Sequence, residues 1–195
     1  MPRPKSHRSL LRLLVAVAVA GLLAFASLAA GKPLAAAGKP AGTSKQAQIE
    51  RGQYLTTVMG CNDCHTPGTL YGQPDFARKL SGSDLGWRGP WGVSFPPNLT
   101  PDMETGLGYW SEDEIVKAIR TGVKNDGKML LPPMPWQNLS ALTDADAHAI
   151  AVYLMSLPPV KHAVPAAVPP GQAYSGAVMD FPPPPAWDVP PPSGH

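Results

Sequence analysis

The stretch Met59–Gly68, MGCNDCHTPG, holds both cysteines of the 195-residue chain, three positions apart, with His65 directly after the second. A disulfide between Cys61 and Cys64 would close a tiny loop and constrain little of the unfolded chain. A zinc site of four thiolates needs two more cysteines than the sequence has. A thioredoxin-like redox pair belongs in a βαβ context that the flanking residues do not provide. The spacing CxxCH fits covalent attachment of a c-type haem, and each residue then has a task. Cys61 and Cys64, near the end of a helix, add across two vinyl groups to form thioethers, and His65 supplies its imidazole as the proximal iron ligand.

Upstream, residues 1–30 read as an export signal: Arg3, Lys5, Arg8 and Arg12 precede an apolar run from Leu13 to Ala30 with small residues at its end. The run is longer than that of most cleaved signals and close to the ~20 residues that span a bilayer, so the segment is either removed or kept as a membrane anchor. Export agrees with haem attachment outside the cytoplasm. Residues 31–44, rich in Ala, Gly, Pro and Lys, read as a linker. The formal charge of +2 is dominated by this N-terminal part, whose 44 residues carry six Lys/Arg and no acid. From Lys45 onward ten basic residues face fourteen acidic ones. That balance argues against a nucleic-acid partner and for a basic protein patch as a docking surface.

Residues 45–160 read as an all-α domain. A first helix is expected from about Gln46 to Met59, opened by Thr43 with Gln46 three residues on, with Ile49, Gly52, Leu55 and Met59 on its inner face. A second follows the Ser111-x-x-Glu114 box, carries Ile115, Val116 and Ile119, and stops at Gly122. A third is capped by Thr143, has Asp144 and Asp146 at the positive end of its dipole, buries Ala147, Ile150, Ala151 and Leu154, and ends before Pro158. No β-alternation and no internal repeat are visible. The 45 residues from Thr66 to Trp110 hold little regular structure, which a compact domain tolerates when a large cofactor completes its core. Residues 161–195 form a proline-rich tail, with twelve prolines between Leu157 and His195. It is either a strap over the domain or a docking segment, and Tyr174, Val178, Met179, Phe181 and Trp187 favour partial docking.

A second axial ligand has to come from downstream, where the candidates are Met103, Met129, Met134, Met155, Met179, His148, His162 and His195. Met134 stands out in LLPPMPWQN because Pro133 and Pro135 fix their φ angles and offer no N–H, which makes a stiff loop able to present a thioether. Met129 is its nearest rival, and Met155 fits helix packing. Trp91, Phe95 and Trp110 are candidate pocket walls. Arg78, Lys79 and Arg88 either pair with haem propionates or face water. The Asn98-Leu99-Thr100 and Asn138-Leu139-Ser140 triplets match the glycosylation pattern but are discounted as acceptors.

PNLTPDMETGLGYWSEDEIVKAIRTGV, PPMPW and LTDADAHAIAVYLMSLPPV, together with CNDCH, resemble the monohaem class I cytochrome c family, and in particular bacterial cytochrome c subunits of periplasmic dehydrogenases. The resemblance covers about residues 46–160. It implies the cytochrome c fold, one covalent haem c on Cys61 and Cys64, iron ligation by His65 and Met134, and a helix crossing at Gly52, Tyr54 and Tyr153. It further implies single-electron transfer in the periplasm with a dehydrogenase, an oxidase or another cytochrome, either as a free carrier or as a dehydrogenase-bound subunit. The competing reading is a haem enzyme or sensor with an open sixth position. The long loop after Thr66 and the proline tail depart from small members of the family.

Overall fold

The computed structural model describes residues 44–182. The export-signal reading, the linker up to residue 43, His195 and the last part of the tail with Trp187 lie outside those residues.

Three helices carry the core. Helix α1, Lys45–Val58, is capped by Ser44, whose hydroxyl accepts from the Ala47 amide at 3.1 Å. The start expected at Thr43 is thus one residue later, and Gln46 bonds forward to Glu50 rather than back to a cap. After the short α2, Cys61–His65, comes α3, Glu112–Thr121. Its Ser111–Glu114 box forms in both directions, and Gly122 ends it at φ 72°, a conformation that suits glycine. A four-residue turn, α4 (Trp136–Leu139), precedes α5, Asp144–Ser156, where the Thr143 hydroxyl accepts from the Asp146 amide at 3.1 Å. Helix α5 is the central element: Ala147 and every residue from Ala149 to Leu154 are buried.

Helix α1 meets α5 at Gly52, where a Cβ would stand 2.0 Å from the Ala149 carbonyl oxygen and 2.6 Å from the Tyr153 Cβ. Tyr153 is at this crossing as expected, but Tyr54 is not; two positions on from Gly52 it points away from α5, largely exposed under the Arg51 guanidinium. The core joins Leu55, Leu80, Leu107, Ile115, Ile150, Ala151, Tyr153 and Leu154.

Beside the helical domain lies a small sheet of order β2-β1-β3 that sequence periodicity did not indicate. Strands β1 (Gly86–Gly89) and β2 (Gly92–Ser94) form a hairpin inside the long loop, and β3 (Val178–Asp180) pairs parallel to β1 from the tail. Val93 and Val168 exchange both backbone hydrogen bonds at 2.9 Å. The tail as far as Pro182 is therefore a strap. Phe181 packs on Trp87 and Trp91, and Tyr174 packs edge-on against Phe95 at 5.3 Å. These rings supply the apolar contact that prolines alone lack.

The root of the strap is locked by Asn98. Its amide nitrogen donates to Val160 O at 2.7 Å and to Thr105 Oγ1 at 3.0 Å, and its oxygen accepts from the Thr100 amide and hydroxyl. Buried at 1% exposure, Asn98 is a structural hub and no glycan acceptor. Next to it, the Asp102 carboxylate accepts from the Thr105 hydroxyl and from the Thr105 and Glu104 amides. These bonds, first that of the Thr105 hydroxyl, hold its pKa below the usual carboxylate range. The stabilisation is complete above the unfolded value of ~3.9 and is lost as pH falls through the lower folded value. Thermal melts of Asp102→Asn below pH ~4 are expected to show a shallower acid decline than wild type, and parallel acid limbs would refute the assignment.

Candidate functional site

The CNDCH segment is a single helical turn. Gly60 enters the left-handed region at φ 71°, which ends α1 and redirects the chain into α2. Both thiols are free and half-buried. Burial pushes the Cys61 thiol up to about 11 and raises Cys64 as well, with the Asp63 charge adding to the latter. Each sulfur is therefore protonated at neutral pH, the form in which an S–H adds across an alkene with no net change of charge.

His65 is buried, and its Nδ1–H donates to the Pro97 carbonyl at 2.8 Å. Burial lowers the imidazole pKa, opposed in part by that carbonyl, so the ring is neutral and Nε2 is the lone-pair nitrogen. Nε2 makes no hydrogen bond among the described residues, yet no side-chain nitrogen or oxygen in them is both sealed from solvent and unpartnered. The ring is thus fixed through one nitrogen while the other faces reachable space. A neutral imidazole with a backbone acceptor behind it and two free thiols on the same helical turn is the donor set that a covalent haem requires. No group of three or more His, Cys, Asp or Glu side chains suited to a bare metal ion occurs among the described residues.

Downstream of α3, Val123 and Met129 bridge across a tight turn in which Lys124 N donates to Lys128 O. Met129 is left 47% exposed at the end of that turn. Met134 lies farther on, half-buried, with its N–H donating to Leu131 O at 3.3 Å and its carbonyl accepting from Trp136. Met103 and Met179 are exposed, and Met155 packs against the core. His148 sits on the surface, 3.9 Å from Asp113. His162 is held at both nitrogens, Nδ1 donating to Ser81 O at 2.9 Å and Nε2 lying 3.3 Å from Asp84.

A family model described as cytochrome c matches residues 49–158. The chain belongs to the cytochrome c family. Its relatives include a nicotinate dehydrogenase subunit of Pseudomonas putida, 34% identical over 64% of this chain and 10% of that protein. The cytochrome c subunit of the quinone alcohol dehydrogenase of Gluconobacter oxydans is 34% identical over 56% of this chain and 21% of its own length. For the gluconate 2-dehydrogenase cytochrome c subunit of Pantoea cypripedii the figures are 34%, 70% and 27%. The chain thus spans about a quarter or less of the length of these relatives.

The cofactor of this cytochrome c is haem c, and the structure sorts the remaining candidates around it. Trp110 packs against the core as a pocket wall would, whereas Trp91 and Phe95 are engaged by the strap rings. Arg78 pairs with Asp75, and Arg88 with Asp180 and the Tyr174 carbonyl, so both are committed to structural contacts. Lys79 lies over the Tyr153 ring at 5.8 Å. Sequence reasoning missed Pro97 and Ser94. Pro96-Pro97 in SFPPNLT signals a stiff segment, but its bond to His65 spans 32 residues and leaves no local trace. Thr66 was missed too: buried, it donates to Asn62 Oδ1 and accepts from the Leu80 amide, tying the loop back to α2.

Proposed function

We propose that this cytochrome c transfers single electrons in the periplasm through one haem c, bound by Cys61 and Cys64 and ligated by His65 and Met134. The observation that carries the reading is His65: buried, neutral, tied to Pro97 through Nδ1, with Nε2 unpartnered behind two free thiols. One haem follows from one CxxCH, since the chain has two cysteines in all. When bound, the haem would supply reversible Fe(II)/Fe(III) exchange, and with His65 and Met134 as the iron's ligands it would pass electrons rather than bind a substrate. His65 orients through its Pro97 bond, the half-buried Met134 offers a thioether that favours the reduced iron, and the core excludes water.

The names of the relatives support a cytochrome subunit of a dehydrogenase; in that role it takes electrons from the catalytic dehydrogenase and passes them to an oxidase or another cytochrome. The chain is then not itself the enzyme but one part of an oxidoreductase complex. Attachment to the inner membrane through residues 1–30, if they are retained, would keep it near such partners. Purification from native membranes is expected to bring a dehydrogenase with it, and a clean monomer counts against the subunit reading.

The ligand assignment is tested by optical spectra of Met134→Ala beside Met129→Ala. The oxidised wild type is expected to be low-spin with a long-wavelength sulfur-to-iron band. Met134→Ala should lose that band and Met129→Ala should keep it. A high-spin wild type would sink the closed-site reading in favour of a haem enzyme or sensor, and loss of the band in Met129→Ala alone would move the ligand.

A further inference from the structure

Ser94 is the last residue of β2 and is buried. Its hydroxyl donates to the Pro132 carbonyl at 2.5 Å, across 38 residues of sequence, and Pro132 makes no other hydrogen bond among the described residues. Pro132 is two residues before Met134. Three residues after Ser94, the Pro97 carbonyl accepts from His65 Nδ1 at 2.8 Å. The four-residue stretch Ser94-Phe95-Pro96-Pro97 thus touches the support of His65 at one end and the Met134 loop at the other. Extended chain advances at most ~3.6 Å per residue, so the Cα atoms of Ser94 and Pro97 are no more than about 11 Å apart, and Pro96 and Pro97 hold the spacing by fixing φ.

The stretch is itself held from several sides. Ser94 pairs in register with Trp87, Val93 is bridged to Val168 of the strap, and Phe95 packs on Tyr174. The Pro96 carbonyl accepts from the Ser83 amide at 3.1 Å, and Leu99 N donates to Leu80 O at 2.9 Å. A residue on so well-anchored a strand, aimed at a proline-flanked loop with few bonds of its own, restrains that loop more than the loop restrains it.

We propose that Ser94 is a positioning residue for Met134, and that Ser94–Pro97 sets the spacing between the two ligand-bearing segments, with the strap holding that stretch in place. This rests on the reading of Met134 as the distal ligand. Without the Ser94 hydroxyl the Met134 loop is free to withdraw, so an external ligand competes better for the oxidised iron and the thioether favours the reduced iron less.

The test is an optical titration of the oxidised holoprotein with imidazole, together with its midpoint potential. Ser94→Ala is expected to bind imidazole about tenfold more tightly, the shift that loss of one buried hydrogen bond gives, and to have a lowered potential. Ser94→Thr, which keeps the hydroxyl, is expected to return both toward wild type. Ser111→Ala, which loses the N-terminal cap of α3 and no bond to the Met134 loop, should lower Tm and leave imidazole affinity unchanged. Wild-type affinity and potential in Ser94→Ala would overturn the proposal, as would an equal change in Ser111→Ala. If Ser94→Ala does not accumulate with haem, Ser94→Cys, close in volume but a poor donor, carries the same expectations and the same refutation. Met134→Ala separates the two levels. If it keeps the sulfur-to-iron band, the ligand assignment falls and this inference with it; if it loses the band while Ser94→Ala matches wild type, this inference falls alone.

Discussion

Gly52→Ala is expected to destabilise the holoprotein by about 3 kcal/mol, lowering Tm by roughly 10 °C or more. The sign is the informative part. In an exposed helix interior, replacing Gly by Ala gains about 1 kcal/mol, because alanine gives up less backbone freedom on folding. At Gly52 the added Cβ meets backbone, with the Ala149 oxygen at 2.0 Å and the Ala149 carbonyl carbon at 2.7 Å. Backbone atoms of a buried helix cannot rotate out of the way, so α1 has to lift off α5. Ala149, Ile150, Tyr153 and their neighbours then lose contacts along the whole crossing. Thermal melts by circular dichroism decide the point, and a Tm at or above wild type would show that the two helices leave room for a methyl group between them.

Cys61→Ser combined with Cys64→Ser is expected to abolish covalent haem entirely. After denaturing electrophoresis the wild-type band should retain haem and the double variant none. Each single variant should hold haem through one thioether, and its pyridine adduct should absorb at longer wavelength because one vinyl group stays conjugated with the ring. The physical content is effective concentration: a tethered cofactor cannot leave, whereas one held by His65 and packing alone re-equilibrates with solvent whenever the site opens. Haem that survives denaturation in the double variant would place the attachment elsewhere in the chain.

The parts of this protein that are legible in its sequence are those whose cause lies within one helical turn. The Ser111–Glu114 box and the Thr143 cap announce α3 and α5 because the donor and acceptor are three residues apart. The start of α1 falls one residue from its expected place because Thr43 and Ser44 are adjacent cap formers, and only the bond from Ala47 selects Ser44. The sheet is illegible. GWRG and GVS are short and do not alternate, and the second partner of β1 lies in the tail, so no local pattern marks that pairing. Asn98 matches a glycosylation triplet, whereas in the fold its buried amide and the Thr100 hydroxyl serve each other and the strap.

Sequence alone marked the residues proposed to attach the haem and ligate its iron on the proximal side, because CxxCH puts two thiols and an imidazole on one turn whatever the rest of the chain does. It also determined the helices that frame that site, since caps and apolar stripes act over three or four residues. Tertiary structure decided what backs His65, what restrains the Met134 loop, and that residues 161–182 belong to the domain as a strap. Each of these rests on hydrogen bonds or ring contacts between residues 32 to 94 positions apart, from the His65–Pro97 bond to the Trp87–Phe181 ring contact. Such bonds form only after the chain has closed long loops, and neither partner carries any mark of the other.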